Sequence, residues 1–265
     1  MKLGLEVLLS NKQLQKNLKG KRVGLVCHPA SVDAELNHSL DLLARKINIT
    51  CAFGPQHGVR GDKQDNMIES PDFVDPVLNI PIFSLYGQVR RPTPEMMGHF
   101  DVLLYDLQDL GCRIYTFVTT LLYLMEECAR HKKTLIVLDR PNPAGRVIEG
   151  FNLRPGWESF VGAAPMPMRH GLTVGELALY YKSHYKLELE LHIIKMAGYS
   201  PDRGPGFGWP TDRAWVNPSP NAASLNMARA YPGTVLIEGT TLSEGRGTTR
   251  ALETIGASDL DFKKV

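Results

Sequence analysis

Four apolar runs in the first 140 residues each end in a polar loop that carries Gly or Pro, and this pattern limits the possible folds more than any other feature. KRVGLVC (21–27) runs into CHPASVD, NITCAF (48–53) into GPQHGVRGD, DVLLYDL (101–107) into DLQDLGCR, and TLIVLD (134–139) into DRPNPAGR. Short, nearly continuous apolar runs bounded by turn residues read as strands buried on both faces. PIFSLYG (81–87) is a candidate for one more strand. Helical periodicity falls between the runs, near 36–46 and again at Val118, Leu121, Leu122, Met125, Cys128 and Ala129, with Glu126, Glu127 and Arg130 on the opposite face. Strands that alternate with helices predict an α/β fold with a parallel sheet and flanking helices. Ligands of open α/β sheets bind at the carboxyl edge of the strands, so four polar loops discharged there predict a pocket.

Past residue 150 the pattern changes. FNLRPGWESFVGAAPMPMRHG (151–171) is rich in Pro and Gly and has little periodicity. Thr173-Val-Gly-Glu176 fits a capping box opening a helix with Val174, Leu177, Ala178 and Tyr181 on one face. LELHIIKM (189–196) and TVLIEG (234–239) read as strands, the proline-bearing stretch 199–233 mostly as loop, and SEGRGTT (243–249) as a turn-rich loop. The change of character predicts a boundary near 150–165, dividing the chain into 1–155 and a smaller α/β subdomain over 156–265.

The balance of charge, +2 with basic residues scattered, gives no Lys/Arg block or basic stripe for nucleic acid. The sequence contains no run of 18 apolar residues, so no membrane span is expected. The start, MKLGLEVLLSNK, has its apolar stretch broken by Glu6 and no A-x-A-like cleavage site, which reads as mature, cytoplasmic sequence. Cys27, Cys51, Cys112 and Cys128 are widely spaced and read as buried free thiols.

Several chemistries lack their signatures: there is no GxGxxG after the first strand, no GxxxxGK[ST], no HExxH or Cys/His cluster, and no GxSxG. What remains is an inventory of carboxylates, arginines and a few histidines. His57 lies between Pro55 and Gly58, which fix the local backbone. Arg60 and Arg113 suit an anionic substrate group or ordinary ion pairs. Asp106 and Asp109 are catalytic candidates or helix caps. Asp139 and Arg140 are site residues or a local pair, and VNPSPN (216–221) is a site element or a rigid turn. Glu238 and Glu244 flank a Gly-rich loop and either react or bond backbone amides. Hydrolysis by paired carboxylates, as in glycosidases, fits this inventory.

FGPQHGVRGD (53–62), SLYG (84–87), DLQDLGCRIYT (106–116), LDRPNPAG (138–145), MRHGLTVGELA (168–178), NPSPN (217–221) and EGTTLSEGRGTT (238–249) together resemble, in order, the DUF1343 family, the NamZ-type exo-β-N-acetylmuramidases of glycoside hydrolase family 171. The resemblance runs from about residue 4 to about residue 256. It implies release of N-acetylmuramic acid from the non-reducing end of peptidoglycan fragments, as in cell-wall recycling. It also implies a Rossmann-like N-terminal domain with a smaller C-terminal domain, a site in the cleft between them, and no nicotinamide or metal cofactor. The lactyl carboxylate of the sugar would then meet Arg60, Arg113 or Arg169. Within these motifs the expected substrate contacts are Gln56, His57, Arg60, Gln108, Arg113, Tyr115, Asp139, Arg140, Asn142, Arg169, His170, Asn217, Asn221 and Arg246. The sequence departs from the family in two places. The family loop commonly reads PEHG where this chain has Gln56, an amide that cannot serve as acid or base. The expected catalytic carboxylates are therefore Glu238, Glu244 and Asp109. Family members also continue well beyond GRGTT, whereas this sequence soon ends in DLDFKKV, so the second domain is expected to be incomplete.

Overall fold

A computed structural model describes residues 1–61, 69–200, 208–259, 261 and 263. Asp62 of the FGPQHGVRGD loop, residues 201–207 of the proline-bearing stretch and most of the final DLDFKKV lie outside the described residues.

The apolar runs form the strands of one sheet: β1 (Val23–Val26), β2 (Ile49–Gly54), β3 (Phe73–Val74), β4 (Pro81–Ser84), β5 (Val102–Tyr105), β6 (Thr134–Leu138) and β7 (Leu191–Ile194). Their order is β3-β4-β2-β1-β5-β6-β7, and all neighbours are parallel except the short edge strand β3, which is antiparallel to β4. The parallel strands thus wind outward in both directions from β1, and the order reverses between β1 and β5. Every residue of β1 and β5 is buried, because each strand carries side chains into cores on both faces.

On one face α1 (Gly4–Ser10) and α3 (Ser39–Ala44) set Leu5, Leu8, Leu40 and Leu43 against Leu25, Val102 and Leu104. On the other, α5 (Thr116–Arg130) and α6 (Val174–His184) pack Leu121, Leu122, Met125, Leu177 and Tyr181 against Leu103, Tyr105 and Val137. The short helices α2 (Lys12–Asn17) and α4 (Pro94–Met97) complete the layers. The capping box at Thr173 is present: its side chain accepts from the Glu176 amide, and Glu176 accepts from the Thr173 amide. All four cysteines are free and buried. Among the described residues no helix is long and apolar enough to cross a membrane.

Three features differ from the sequence reading. Helix α1 lies in what reads as plain N-terminal sequence; Leu5 and Leu8 supply its buried face. Residues 225–233, expected as loop, belong to α7 (Leu225–Thr234), capped by the Ser224 hydroxyl accepting from Met227 N at 3.0 Å. Its Pro232 and Gly233 occupy the last turn, where they disguised the helix. TVLIEG, expected as a strand, is instead a 3-10 turn over Val235–Gly239 that continues α7. β propensity needs a neighbouring strand to pair with, and here the chain prolongs a helix instead, burying Val235 beside Cys112 and Met168. The sheet also runs past the division at 155/156, since β7 pairs with β6 through Leu135↔Leu191 to Leu138↔Ile194.

Helix α1 is seated on the ends of β6 and β7 through Gly4, whose amide donates to Asp139 O at 2.9 Å. A Cβ there would lie 2.5 Å from Ile194 O and 2.7 Å from Leu138 C, both backbone atoms. Gly4→Ala is therefore expected to destabilise the protein by about 1–3 kcal/mol through overpacking, measured as a lower urea midpoint with an unchanged m-value.

Candidate active site

The crevice where the strand order reverses is closed by the chain itself. Asp106, at the end of β5, and Arg140, at the end of β6, form a buried two-point ion pair, with Nε to Oδ1 at 2.6 Å and Nη2 to Oδ2 at 3.0 Å. Arg140 Nη2 also donates to Val32 O at 3.3 Å in the loop after β1, and the Ser31 hydroxyl donates to Asp106 O. The cavity left there, lined by Ala30, Gln108, Arg140 and Trp209, is about 20 Å³, room for a water and not for a nucleotide.

The open space lies to the other side, above β2, β4 and β5. A cleft of about 550 Å³ is floored by the loops after those strands, with Gln56 and His57 after β2, Tyr86 and Arg90 after β4, and Leu110, Ile114, Tyr115 and Thr116 after β5. Its far wall comes from Ser219–Asn221, α7 and the segment after it, which contribute Tyr231, Val235, Glu238, Arg246 and Leu252. The loop over 159–161 closes one side. That volume suits one or two sugar rings, and aromatic faces with a few polar groups are the usual lining of such a site.

The local backbone explains how the floor is set. His57 is buried and has φ of 73°, a left-handed conformation uncommon for a residue with a side chain. The turn is closed by Gly58 N donating to Pro55 O at 3.0 Å. The Gln56 Oε1 accepts from the Thr116 hydroxyl at 3.1 Å, joining the loop after β2 to the first turn of α5. The Tyr115 hydroxyl donates to Pro218 O at 2.7 Å and so ties the NPSPN segment to the floor; burial holds that phenol well above its ordinary pKa. On the far wall, Arg246 bonds both Glu238 and Glu244, the latter with N···O of 2.8 Å.

The expected site residues therefore divide. Gln56, His57, Tyr115, Asn221, Glu238 and Arg246 line the cleft. Glu244 stands behind Arg246. Asp109 is buried below Leu110, its Oδ2 accepting from Gly111 N at 2.8 Å and from His170 Nε2 at 3.1 Å. His170 Nδ1 accepts from Leu172 N, which leaves the proton on Nε2, so the imidazole is a neutral donor to Asp109. Gln108 donates to Asp109 O and Pro141 O and borders the small cavity instead.

Asp139 accepts from the Arg140 and Gly175 amides and from the Thr173 hydroxyl, at the start of α6; burial outweighs these bonds and raises its pKa. Asn142 Nδ2 donates to Leu172 O and its Oδ1 accepts from Ala144 N. Asn217 is exposed and outside the cleft lining.

The three arginines expected to meet a substrate anion are engaged elsewhere, and none lines the cleft. Arg60 is bonded to Asp41 and Asp75. Arg113 donates to Phe151 O and Met166 O, and burial lowers its pKa. Arg169 is paired with Glu149 and bonds Ala144 O. The residue types looked right for anion binding, but the fold spends them on its loops. The sequence reading in turn missed Tyr86, Arg90, Phe160 and Tyr231. Tyr86 lies in the SLYG motif, which was a usable signal; Phe160 lies in an aperiodic stretch that offered none. Among the described residues no group of three or more His, Cys, Asp or Glu is placed to hold a metal ion.

A doubly wound α/β protein with a polar and aromatic cleft beside a closed switch point is the class that fold and site define. The chain belongs to the NamZ family: residues 23–226 match "Exo-beta-N-acetylmuramidase NamZ, N-terminal" and residues 229–265 match its C-terminal counterpart. The two matched ranges meet at the start of α7. The chain is 43% identical over 257 residues to the peptidoglycan beta-N-acetylmuramidase NamZ of Bacillus subtilis (strain 168), covering 96% of this chain and 61% of that protein. Two crystal structures of DUF1343 family proteins from Bacteroides fragilis NCTC 9343 are similar. BF0371 has a TM-score of 0.86 and 38% identity over 99% of this chain and 67% of its own, and BF0379 has 0.78 and 31% over 97% and 67%. The chain thus spans about three fifths of the curated relative's length.

Two outcomes follow from the ion pairs. Arg140→Met strands a buried carboxylate and is expected to cost about 3–5 kcal/mol in urea unfolding, most of which Arg140→Met with Asp106→Leu recovers. The hydrogen bond from Arg60 lowers the Asp41 pKa; at Asp75 burial acts to raise it, but the Leu78 and Val77 amides with Arg60 outweigh that and lower it. Both folded-state values lie below 3.8, so the stability these carboxylates contribute is complete above that pH and lost as pH falls through the folded values. Arg60→Gln should lower Tm at pH 7, with the difference from wild type shrinking below pH 3.8.

Proposed function

We propose that the protein is a glycoside hydrolase that releases N-acetylmuramic acid from the non-reducing end of peptidoglycan fragments, with the sugar seated in the 550 Å³ cleft. The observation that carries this reading is the convergence of Gln56, His57, Tyr115, Asn221, Glu238 and Arg246 on that cleft, from motifs distant in sequence. Family membership and the name of the Bacillus relative support the substrate class.

Two-carboxylate hydrolysis needs one group to protonate the leaving oxygen and another to attack or to activate water. Glu238 is the carboxylate among the described lining residues, and it takes the base or nucleophile role. Glu244, which shares Arg246 with it but does not line the cleft, holds that arginine in place; the carboxylic acid that would protonate the leaving oxygen is not among the described lining residues. Asp109 acts from beneath through His170 and the 109–111 turn, holding the floor rather than touching the sugar. Gln56, Tyr115 and Asn221 hold hydroxyl and acetamido groups by hydrogen bonds.

A second reading, sugar binding without turnover, is favoured by one observation. An amide, Gln56, sits on the cleft floor bonded to Thr116, where an ionisable group would be useful.

Turnover of a chromogenic N-acetylmuramide separates these readings. Hydrolysis is expected in wild type, with kcat lowered about 10²–10⁴-fold in Glu238→Gln and KM changed far less. Calorimetric binding of N-acetylmuramic acid without hydrolysis, and no gain in Gln56→Glu, would select the second reading. Neither binding nor turnover would overturn both.

A further inference from the structure

We infer that Arg90 is the residue that recognises the carboxylate of the sugar, and so sets the preference for a muramic acid over a neutral N-acetylhexosamine. The inference rests on the sugar-binding reading of the cleft given above and names the group within it that reads the charge.

Among the described residues, two arginines line the cleft, Arg90 and Arg246. Arg246 is held between Glu238 and Glu244, so its charge is already offset by two carboxylates within the same wall. Arg90 is held differently. Its guanidinium carbon lies 4.0 Å from the centre of the Tyr86 ring and 5.5 Å from that of Phe160. Both rings line the cleft, and they approach each other with centroids 6.0 Å apart.

The Arg90 Nη1 donates to Gly87 O at 2.6 Å, which fixes the orientation of the fork. Its one ion-pair partner among the described residues is Glu69, at 3.3 Å; that carboxylate is 61% exposed and does not line the cleft. An exposed pair of this kind contributes little, and a guanidinium has five donors, so Arg90 can accept a further carboxylate.

A guanidinium packed against aromatic rings keeps its N–H donors available, and a carboxylate can engage two of them in parallel hydrogen bonds. A muramic acid differs from the corresponding N-acetylglucosamine by a lactyl ether that carries such a carboxylate. Apart from Arg90, Arg246 and His57, the polar side chains among the described lining residues are neutral except Glu238, which repels an anion.

The test compares N-acetylmuramic acid, its methyl ester and N-acetylglucosamine by calorimetry at low salt, on wild type, Arg90→Gln and Arg90→Lys. Wild type should prefer the free acid over the ester and over N-acetylglucosamine by about 10–100-fold, the range expected for a charge-assisted hydrogen bond. Arg90→Gln should lose that factor on the free acid alone, leaving the two neutral ligands unchanged, and Arg90→Lys should retain part of it. Equal losses on all three ligands would mean that Arg90 only shapes the wall. No change in Arg90→Gln, with the acid still preferred, would place the anion contact elsewhere; either result overturns the inference and leaves the sugar site standing. Failure of wild type to bind any of the three would overturn the sugar site itself and this inference with it.

Discussion

A single guanidinium at the end of β6 holds the carboxyl edge of the sheet together. Arg140 grips both oxygens of Asp106 from β5 and reaches the backbone of the loop after β1, so three adjacent strand ends are locked in one buried arrangement. Such a pair is not a large net source of stability, because desolvation offsets most of the attraction. What it imposes is geometry. Neither partner can move without leaving a buried charge alone, so the loops after β1, β5 and β6 have one placement.

That placement decides where a ligand can go. In a doubly wound sheet the crevice at the reversal of strand order is the usual ligand site. Here Arg140, Asp106 and the loop after β1 fill it, and only about 20 Å³ remains. The cleft lies on the β2–β4 side, where the far wall is brought in from residues 219–252. The Tyr115 hydroxyl bonded to Pro218 O is the tie between the two walls, and the Gln56–Thr116 bond fixes the floor between them. A site built this way is rigid on the sheet side and depends on α7 and the Gly-rich segment for its other half.

Much of the fold was legible because its strands are buried on both faces and so are continuous in apolar character. The polar loops at the ends of β2, β4 and β5 border the 550 Å³ cleft. What could not be read was which polar side chains the fold would consume. Arg60, Arg113 and Arg169 have the chemistry of anion ligands, but each is spent on carboxylates or carbonyls of its own neighbourhood. Arg90 carried no signal of its own, since stacking against Tyr86 and Phe160 joins segments some 70 residues apart. Helix α7 was hidden by Pro232 and Gly233 in its last turn, and the β-branched residues after it suggested a strand where none of the described strands lies alongside. Local sequence pattern reports propensity and burial; it does not report tertiary pairing of charges.

The cleft beside the closed switch point is the proposed sugar site. The most direct measurement is a crystal structure of the protein with N-acetylmuramic acid bound. The pyranose is expected between Gln56, Tyr115 and Asn221, within hydrogen-bond reach of Glu238, with Asp106 and Arg140 undisturbed. A sugar bound at the groove lined by Glu69, Asp72 and Glu95, or inserted between Asp106 and Arg140, would contradict it.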